Sequence, residues 1–284
     1  MSDIKKIFSN LLSLMGIFRL SYRTISKKGQ FVLMFHGVSS IKRKEIHYNA
    51  QPHIDKKDLE KILQWLTKHF DFLTPNDLIN TNKSGVLLTF DDGFANNYNN
   101  VLPLIEKYKC HAIYFITTKH LMNPKDWLSF TKANVANNWS KKDKIPEELQ
   151  IDLYDGISES MLSEISSHPL ITIGNHSETH PLLSRCSNNQ LIREIKDSKL
   201  YLEKLISRKV EYFAYPTGDY NQNVINFVRD TGYKAAFGID NINNIGFPKF
   251  EIPRIGIYSS KKSYLEAKMS GLYRRPLSRI AIDQ

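Results

Sequence analysis

The chain has 284 residues, 41% of them hydrophobic, which is enough for one large domain or two small ones with a sizeable core. Its formal net charge of +10 at pH 7 favours an anionic partner or surface, although a soluble protein that is merely basic is the alternative. The chain has no Cys/His finger spacing and no Gly-aromatic RNA-binding signature, so we expect no nucleic-acid partner. Its two cysteines, Cys110 and Cys186, form no disulfide framework, which favours a reducing compartment.

The first 28 residues combine an apolar pattern with positive charge. Apolar residues recur at helical spacing between Ile4 and Phe18. Basic side chains accompany them at Lys5, Lys6, Arg19 and Arg23. The apolar stretch 11–18 is too short to span a bilayer, and no small-residue cleavage site follows it. The pattern predicts a basic amphipathic helix that lies on a membrane surface or packs on the protein, and we expect a cytoplasmic protein with peripheral attachment to the inner face of the membrane as one option.

From residue 29 to residue 284, which we treat as one domain, short apolar runs alternate with segments of helical spacing. Strands are predicted at 31–35, 86–90, 111–117, 170–174, 212–215, 235–238 and 251–257. Helices are predicted at 56–69, 101–109, 161–166, 188–206 and 224–231. Within 72–78 we expect a short strand followed by a helix start near Pro75. Strand, helix and strand in close succession favour parallel pairing, so the predicted fold is an α/β barrel with its chemistry at the C-terminal ends of the strands.

Residues 121–157 interrupt this alternation. They are polar and rich in Asn and Lys, with Trp127 and Trp139 embedded among them. This composition predicts an insertion between core elements, placed as a lid or rim over the site.

Two polar motifs follow predicted strands. Asp91 and Asp92 come directly after the run 86–90, and His176 and His180 follow the run 170–174. Each motif alone is weak, because two aspartates and a glycine can form a capped turn and two histidines can lie on an exposed helix face. Together they indicate a divalent transition metal held by two imidazoles and one carboxylate, with open positions for water and substrate. The second carboxylate could then act as a general base.

Three motifs in this order resemble those of the polysaccharide deacetylases, carbohydrate esterase family four. They are Thr89–Gly93, His176–His180 and Phe213–Tyr220, with weaker matches at Met34–Gly37, Thr231–Gly238 and Ile252–Ile255. The resemblance covers roughly residues 31–257. It implies a distorted (β/α) barrel and the metal-dependent removal of an N- or O-acyl group from a sugar.

The resemblance also implies roles for single residues. Asp91 matches the family's general base, and the metal ligands match Asp92, His176 and His180. Thr217 matches the position whose backbone N–H helps to hold the oxyanion. Tyr215, two residues earlier, is a further candidate for substrate binding. We expect one divalent ion, with Zn²⁺ the first choice and Co²⁺, Ni²⁺, Fe²⁺ or Mn²⁺ as alternatives.

The chain departs from the family pattern at two positions. Many members carry an Arg before the Pro of the third motif, and this chain has none there, so Arg254 is the candidate that orients the base; a surface or substrate-binding Arg is the alternative. Many members also carry a late His that protonates the leaving amine, whereas this chain has no histidine after His180. His36 is the candidate for that acid, and a buried structural histidine is the alternative.

These observations favour a metal-dependent de-N-acetylase of an amino sugar in a cell-surface polysaccharide or a lipid-linked glycan. An N-acylated sugar is therefore the expected substrate, with a membrane surface as a further partner. Two alternatives stay open: a metal-dependent hydrolase of a formamide or other non-sugar amide, and a carbohydrate-binding protein with a decayed site.

Overall fold

The computed structural model of the chain describes residues 29–42, 44–45, 52–138, 145–239 and 248–270. The predicted amphipathic segment 1–28 lies outside these residues, as does Trp139 of the insertion. Within the described ranges, no helix has the length and apolar character needed to cross a membrane.

A parallel sheet forms the centre of the molecule. The strands are β1 Gln30–Phe35, β2 Val38–Ser39, β3 Ile54–Asp55, β4 Gly85–Phe90, β5 Ala112–Ile116, β6 Ile171–Asn175, β7 Tyr212–Ala214, β8 Ala235–Phe237 and β9 Ile255–Gly256. Seven of them form one sheet in the order β8-β7-β6-β5-β4-β1-β9, and every neighbouring pair is parallel. The remaining two, β2 and β3, pair with each other.

The two edges of the large sheet meet. Ile252, three residues before β9, pairs with Phe237 of β8, and two backbone hydrogen bonds join the segments. The sheet therefore curls into a barrel that only a few residues close, and the prediction of a distorted (β/α) barrel is confirmed.

Helices surround the sheet. They are α1 Lys56–Thr67, α2 Pro75–Asn80, α3 Leu102–Tyr108, α4 Thr118–Met122, α5 Ser129–Asn138, α6 Glu147–Leu153, α7 Glu159–Ser166, α8 Asn188–Leu191, α9 Ser198–Ile206, α10 Gln222–Asp230 and α11 Lys262–Met269. The predicted strand start at 72–78 is a single bridge at Phe72, and α2 begins at Pro75 with a capping box between Thr74 and Asp77. The sequence patterns did not indicate β2, β3, α4, α5, α6 or α11. The predicted strand 251–257 is a strand only at β9, with Ile252 forming a single bridge before it.

Alternation along the strands divides the core and aims the site residues. On β4, Val86, Leu88 and Phe90 pack in the cluster that faces the helices, whereas Leu87 packs in the smaller cluster inside the barrel. Because successive side chains point to opposite faces of a strand, Asp91 follows Leu87 on the inner side. The same alternation places His36 in line with Val32 of β1.

The predicted insertion contains helices of its own. Residues 121–157 include α5 and α6, and a small core forms between them around Leu149, Leu153 and Tyr154. Asp152 fastens this unit to the barrel, because its carboxylate accepts hydrogen bonds from Ser40 N and from the side chain of Asn100. The insertion is therefore attached at the end of the barrel where the C-terminal ends of the strands are followed by polar residues.

Candidate active site

The ends of two strands, β4 and β6, bring together one buried cluster of polar side chains. Asp91 and Asp92 follow β4, His176 follows β6, and Asp91 N–H and His176 N–H each donate a hydrogen bond that extends the pairing of the strand next to it. Both aspartates and His176 are almost fully buried. Polar groups at that depth need partners, so this cluster is where a functional site is expected.

Asp92, His176 and His180 could hold a metal ion. Their potential ligand atoms all lie within 4.8 Å of one another. Asp92 Oδ1 is 3.6 Å from His176 Nε2 and 3.5 Å from His180 Nε2. Among the described residues, this oxygen is buried and has no hydrogen-bond partner. Two nitrogens and one orphaned carboxylate oxygen form a donor set that suits a divalent transition metal with open coordination positions, so the residues fit the predicted ion.

The tautomer of His176 is fixed by the neighbouring strand. Its Nδ1–H donates a hydrogen bond of 2.8 Å to the carbonyl oxygen of Ala214 at the end of β7. The Nε2 lone pair is therefore left to face Asp92, which is the arrangement that metal-binding histidines adopt. Burial lowers the pKa of His176 to about 4, although the charge of Asp91 opposes this shift. The imidazole is thus neutral at pH 7 and able to bind a metal.

His180 is held in the same neutral state. Burial lowers its pKa to about 3, and the neighbouring His176 adds to the shift. Its ring packs against His176, with ring centroids 4.9 Å apart, and against Phe130 of α5, with ring centroids 4.8 Å apart. Phe130 of the insertion therefore lies on the His180 side of the site.

Strained backbone carries the ligands. Asp92, Ser177 and His180 all adopt left-handed φ angles of 73°, 68° and 62°. Such angles are unfavourable for residues other than glycine, and they persist where the surrounding structure holds them in place.

Glu194 supplies much of that support for the histidine loop. This buried residue lies in a π-helical turn, Ile192–Asp197, between α8 and α9. Its carboxylate accepts hydrogen bonds from Glu178 N (3.0 Å), Thr179 N (2.9 Å) and Thr179 Oγ1 (2.7 Å). The sequence patterns did not indicate Glu194. Its only signal is an acidic residue three positions after Leu191, on the apolar side of the predicted helix 188–206.

The other side of the same loop is tied to the start of α4. The backbone N–H groups of Thr118 and Lys119 donate to the carbonyl oxygens of Ser177 and Glu178. Because both the donors and the acceptors of the loop backbone are engaged, the spacing between His176 and His180 is fixed by residues outside the motif.

Asp91 is paired with Arg254. Arg254 Nη1 lies 2.6 Å from Asp91 Oδ1, and Arg254 Nε donates to the carbonyl oxygen of Gly238. The guanidinium also packs over the ring of Phe115 inside the barrel. Burial raises the pKa of Asp91, but Arg254 and His176 outweigh it and hold the pKa below its ordinary value. Asp91 is therefore ionised, and its second oxygen, Oδ2, faces His176 Nε2 at 3.8 Å.

The two neighbouring aspartates differ in their electrostatic environment. Burial and the negative charge of Asp91 raise the pKa of Asp92 well above its ordinary value, and Arg254 opposes this only in part. An uncompensated carboxylate at this depth is costly unless a cation lies beside it. The two aspartates thus differ: Asp91 is paired with the cationic Arg254, whereas Asp92 would need a bound metal ion to compensate its charge.

The chain belongs to the polysaccharide deacetylase family. The model of that family matches residues 79–236, which is more than half of the 284 residues and includes all three metal-site positions and Asp91.

Two relatives extend the similarity along the chain. A poly-β-1,6-N-acetyl-D-glucosamine N-deacetylase of Staphylococcus aureus is 24% identical over 273 residues, covering 90% of this chain and 83% of the relative. The Bacillus subtilis protein YxkH is 24% identical over 213 residues, covering 72% of this chain and 62% of that protein. The chain thus spans less than two thirds of the length of YxkH.

Solved structures of the family share the fold. The deacetylase PplD of Streptococcus pyogenes, solved with acetate, superposes with a TM-score of 0.67 at 21% identity, covering 86% of this chain and 98% of PplD. IcaB of Ammonifex degensii superposes with a TM-score of 0.59 at 18% identity, covering 86% of this chain and 97% of IcaB. The barrel is therefore of the polysaccharide deacetylase type.

His36 lies at this site, but its environment opposes protonation of the imidazole, which a general acid needs. Burial lowers its pKa, and Arg254 adds to the shift while Asp91 opposes it. This shift disfavours a His36 that is protonated near neutral pH, as the predicted acid would need to be. Its ring lies beside Tyr258, with ring centroids 6.3 Å apart, and Nδ1 is buried without a hydrogen-bond partner among the described residues.

The third motif provides one surface residue and one core residue. Thr217 is exposed in a 3₁₀ turn, Pro216–Gly218, with a left-handed φ of 56°. Tyr215 is fully buried, and its hydroxyl donates a hydrogen bond of 3.0 Å to the carbonyl oxygen of Phe250. Its side chain stabilises the link to the last strand and cannot contact a substrate, which corrects the prediction made for Tyr215.

Proposed function

We propose that the chain is a metal-dependent de-N-acetylase of an amino sugar in a polysaccharide. The observation that carries the proposal is the juxtaposition of two features. One is the set of three potential ligands, Asp92, His176 and His180; the other is an ionised Asp91 beside them with one free oxygen. Family membership supports the hydrolysis of a carbon–nitrogen bond, and the name of the Staphylococcus aureus relative supports an N-acetylated glucosamine polymer as the class of substrate.

Asp92, His176 and His180 would hold one divalent ion, with Zn²⁺ the first candidate and Co²⁺, Ni²⁺, Fe²⁺ or Mn²⁺ as alternatives. When bound, such an ion polarises an acyl carbonyl and lowers the pKa of a water molecule. The neutral imidazoles and the fixed Nδ1–H of His176 prepare the two histidines to bind that ion at pH 7 without losing a proton.

Asp91 is the general base in this proposal. Arg254 occupies Oδ1, so Oδ2 is the atom that takes a proton from the attacking water. Arg254 also keeps the pKa of Asp91 low, which makes the protonated carboxyl a strong acid. It can therefore return the proton to the nitrogen of the leaving amine, and a separate protonated histidine is not required.

Thr217 is proposed to donate its backbone N–H to the oxyanion. Its exposed position in a tight turn after β7, three residues beyond Ala214, whose carbonyl oxygen fixes His176, supports this role. Attachment to the inner face of the membrane through residues 1–28, a cytoplasmic location and action on a lipid-linked glycan rest on the sequence pattern and stay predictions.

An acetate-release assay tests the proposal. The substrates are N-acetylglucosamine oligomers, a short N-formylated amine and an O-acetylated sugar, each incubated with protein treated with chelator and then with single divalent ions. We expect acetate release from the oligomers that depends on metal. His176→Ala and His180→Ala should lose both bound metal and activity. The control His168→Ala, at a surface contact with Glu106, should keep both.

The panel separates the alternatives. Faster hydrolysis of the formylated amine than of the oligomers would support the alternative function, a hydrolase of non-sugar amides. Metal binding and oligosaccharide binding without hydrolysis of any substrate would identify a decayed carbohydrate-binding protein. Equal metal content in wild type and both histidine variants would refute the proposal that these histidines bind a metal.

A further inference from the structure

Tyr258 presents an exposed aromatic ring at the mouth of the barrel. It is 46% exposed, which sets it among the few large apolar side chains of the described residues that lie on the surface. It follows β9, two residues after Gly256, and so leaves the sheet next to the end of β1, where His36 lies. A single exposed aromatic ring is ordinary on a protein surface, but a ring at the edge of a catalytic cluster lies where a bound ligand would cover it.

The ring is held in a defined position. The Tyr264 hydroxyl lies 3.3 Å from both Tyr258 N and Gly256 O, so it can accept from the first and donate to the second. Gly256 has no side chain, and a Cβ added there would lie only 2.9 Å from the Tyr258 ring and 3.0 Å from its hydroxyl oxygen. The phenol therefore rests directly on the backbone of β9. A surface ring that is fixed in this way loses little conformational entropy when a ligand covers it.

The same ring adjoins the catalytic groups. It lies nearly parallel to the His36 ring, at an interplanar angle of 22°. Partial burial raises the pKa of Tyr258 to about 12, and the charges of Asp91 and Asp92 add to the shift. The hydroxyl thus stays protonated at neutral pH and lies within electrostatic range of both carboxylates. Tyr258 therefore stands on the β1–β9 side of the site, while Phe130 stands on the His180 side.

We infer that Tyr258 is the stacking platform for the pyranose ring whose acylated nitrogen enters the metal centre. A pyranose has one face made of C–H groups, and such a face packs on an aromatic ring while its hydroxyls stay hydrated. The part of the Tyr258 ring that neither His36 nor Gly256 covers offers that surface. This inference rests on the proposed function and specifies it, because the platform selects an N-acylated sugar over a small amide without a ring.

The test compares three variants in two measurements. Tyr258→Ala removes the ring, Tyr258→Phe keeps it, and Tyr201→Ala is the matched control, since Tyr201 lies on α9, where its hydroxyl bonds to Glu159. The first measurement is kcat and KM for acetate release from an N-acetylglucosamine oligomer. The second is the calorimetric affinity of each variant for the same oligomer in an Asp91→Asn background, where turnover does not consume the ligand.

We expect Tyr258→Ala to weaken affinity and raise KM by roughly 10-fold, with a smaller change in kcat, because stacking contributes to ground state and transition state alike. Tyr258→Phe should rescue most of this loss, and Tyr201→Ala should bind like wild type. Wild-type affinity in Tyr258→Ala would overturn the inference. A loss in Tyr258→Phe as large as in Tyr258→Ala would also overturn it, because the hydroxyl and not the ring would then make the contact. If wild-type protein releases no acetate, the proposed function fails instead, and the binding measurement alone then decides whether Tyr258 holds a sugar.

Discussion

Arg254 and Asp91 form a fully buried ion pair, with 2.6 Å between Nη1 and Oδ1, although 163 residues separate them in the chain. The pair joins the segment that closes the barrel to the strand that carries the catalytic motif. It also determines which carboxylate oxygen of Asp91 is free. Fold closure and the ionisation of the proposed base thus depend on one contact.

Replacing Arg254 should change the pH dependence of activity. In Arg254→Gln, the main group that opposes the effect of burial on the pKa of Asp91 is lost and that pKa rises. A higher pH is then needed to ionise the base, and the acidic limb of the pH–rate profile should move to higher pH. We expect a fall in kcat/KM of about 10²-fold near neutral pH.

Circular dichroism must first show that the variant is folded, because breaking a buried pair costs about 3–5 kcal/mol. Arg229→Gln, at an exposed pair with Asp230, is the matched control. An acidic limb that stays in place in folded Arg254→Gln would contradict the role given to Arg254.

The two adjacent aspartates should respond differently to the same change. Asp91→Asn should keep the metal and lose about 10²–10⁴-fold in turnover, because a carboxamide cannot accept the proton of water. Asp92→Asn should lose the metal, because a neutral amide oxygen is a weaker ligand. Elemental analysis and turnover of both variants check this. If Asp91→Asn released the metal while Asp92→Asn retained it, the two roles would have to be exchanged.

Glu194 should determine metal affinity without touching the metal. In Glu194→Gln, the amide keeps one acceptor oxygen but presents an NH₂ group to the donors of the histidine loop, so the positions of Ser177 and His180 lose support. We expect the affinity for Zn²⁺, measured by competition with a chromogenic chelator, to fall by about 10–100-fold.

Glu203→Gln is the control for this change, since Glu203 accepts a hydrogen bond from Val210 N at the far end of α9. Glu203→Gln should bind Zn²⁺ with wild-type affinity. Wild-type Zn²⁺ affinity in folded Glu194→Gln would show that the loop keeps its geometry without the carboxylate.

His36→Gln should leave the alkaline limb of the pH–rate profile in place. The lowered pKa of His36 means that its titration belongs to the acidic side, so it cannot produce activity loss at high pH. We expect turnover to fall by less than about 10-fold, since Asp91 can return the proton itself. A flattened alkaline limb with a loss of about 10²-fold or more would instead establish His36 as the acid.

Two buried histidines should make the fold sensitive to mild acid. The pKa of His53 is lowered to about 3 and that of His120 to about 4, chiefly by burial, whereas an unfolded histidine titrates near 6.5. Below pH 6.5 the unfolded chain therefore binds more protons, and stability should fall as pH decreases, by roughly 1 kcal/mol per pH unit for each histidine.

Urea unfolding at pH 7 and pH 5 measures this dependence. His53 accepts from Gly37 N–H at Nδ1 and lies beside the carbonyl of Leu153 at Nε2, so it links the end of β1 to the insertion. His53→Asn should lower stability at pH 7 but show a smaller decrease between the two pH values. Equal stability of wild type at pH 7 and pH 5 would contradict the neutral buried state.

Local patterns were sufficient to predict the alternation of strands and helices, the barrel, and the positions of Asp91, Asp92, His176 and His180 at strand ends. These features follow from periodicity and from residues a few positions apart, which the backbone places together in any fold of this class. The split of the helix predicted at 188–206 was not predictable in this way, because its π-helical turn is maintained by contacts of Glu194 with a distant loop.

The sequence by itself therefore determined which side chains reach the mouth of the barrel, and the tertiary structure decided what each can do there. Only folding pairs Arg254 with Asp91, directs His176 Nδ1 to Ala214, buries Tyr215 in the core and exposes Tyr258 beside His36. The physical reason is that ionisation, tautomer and accessibility depend on burial and on partners far away in the chain, which no local pattern records.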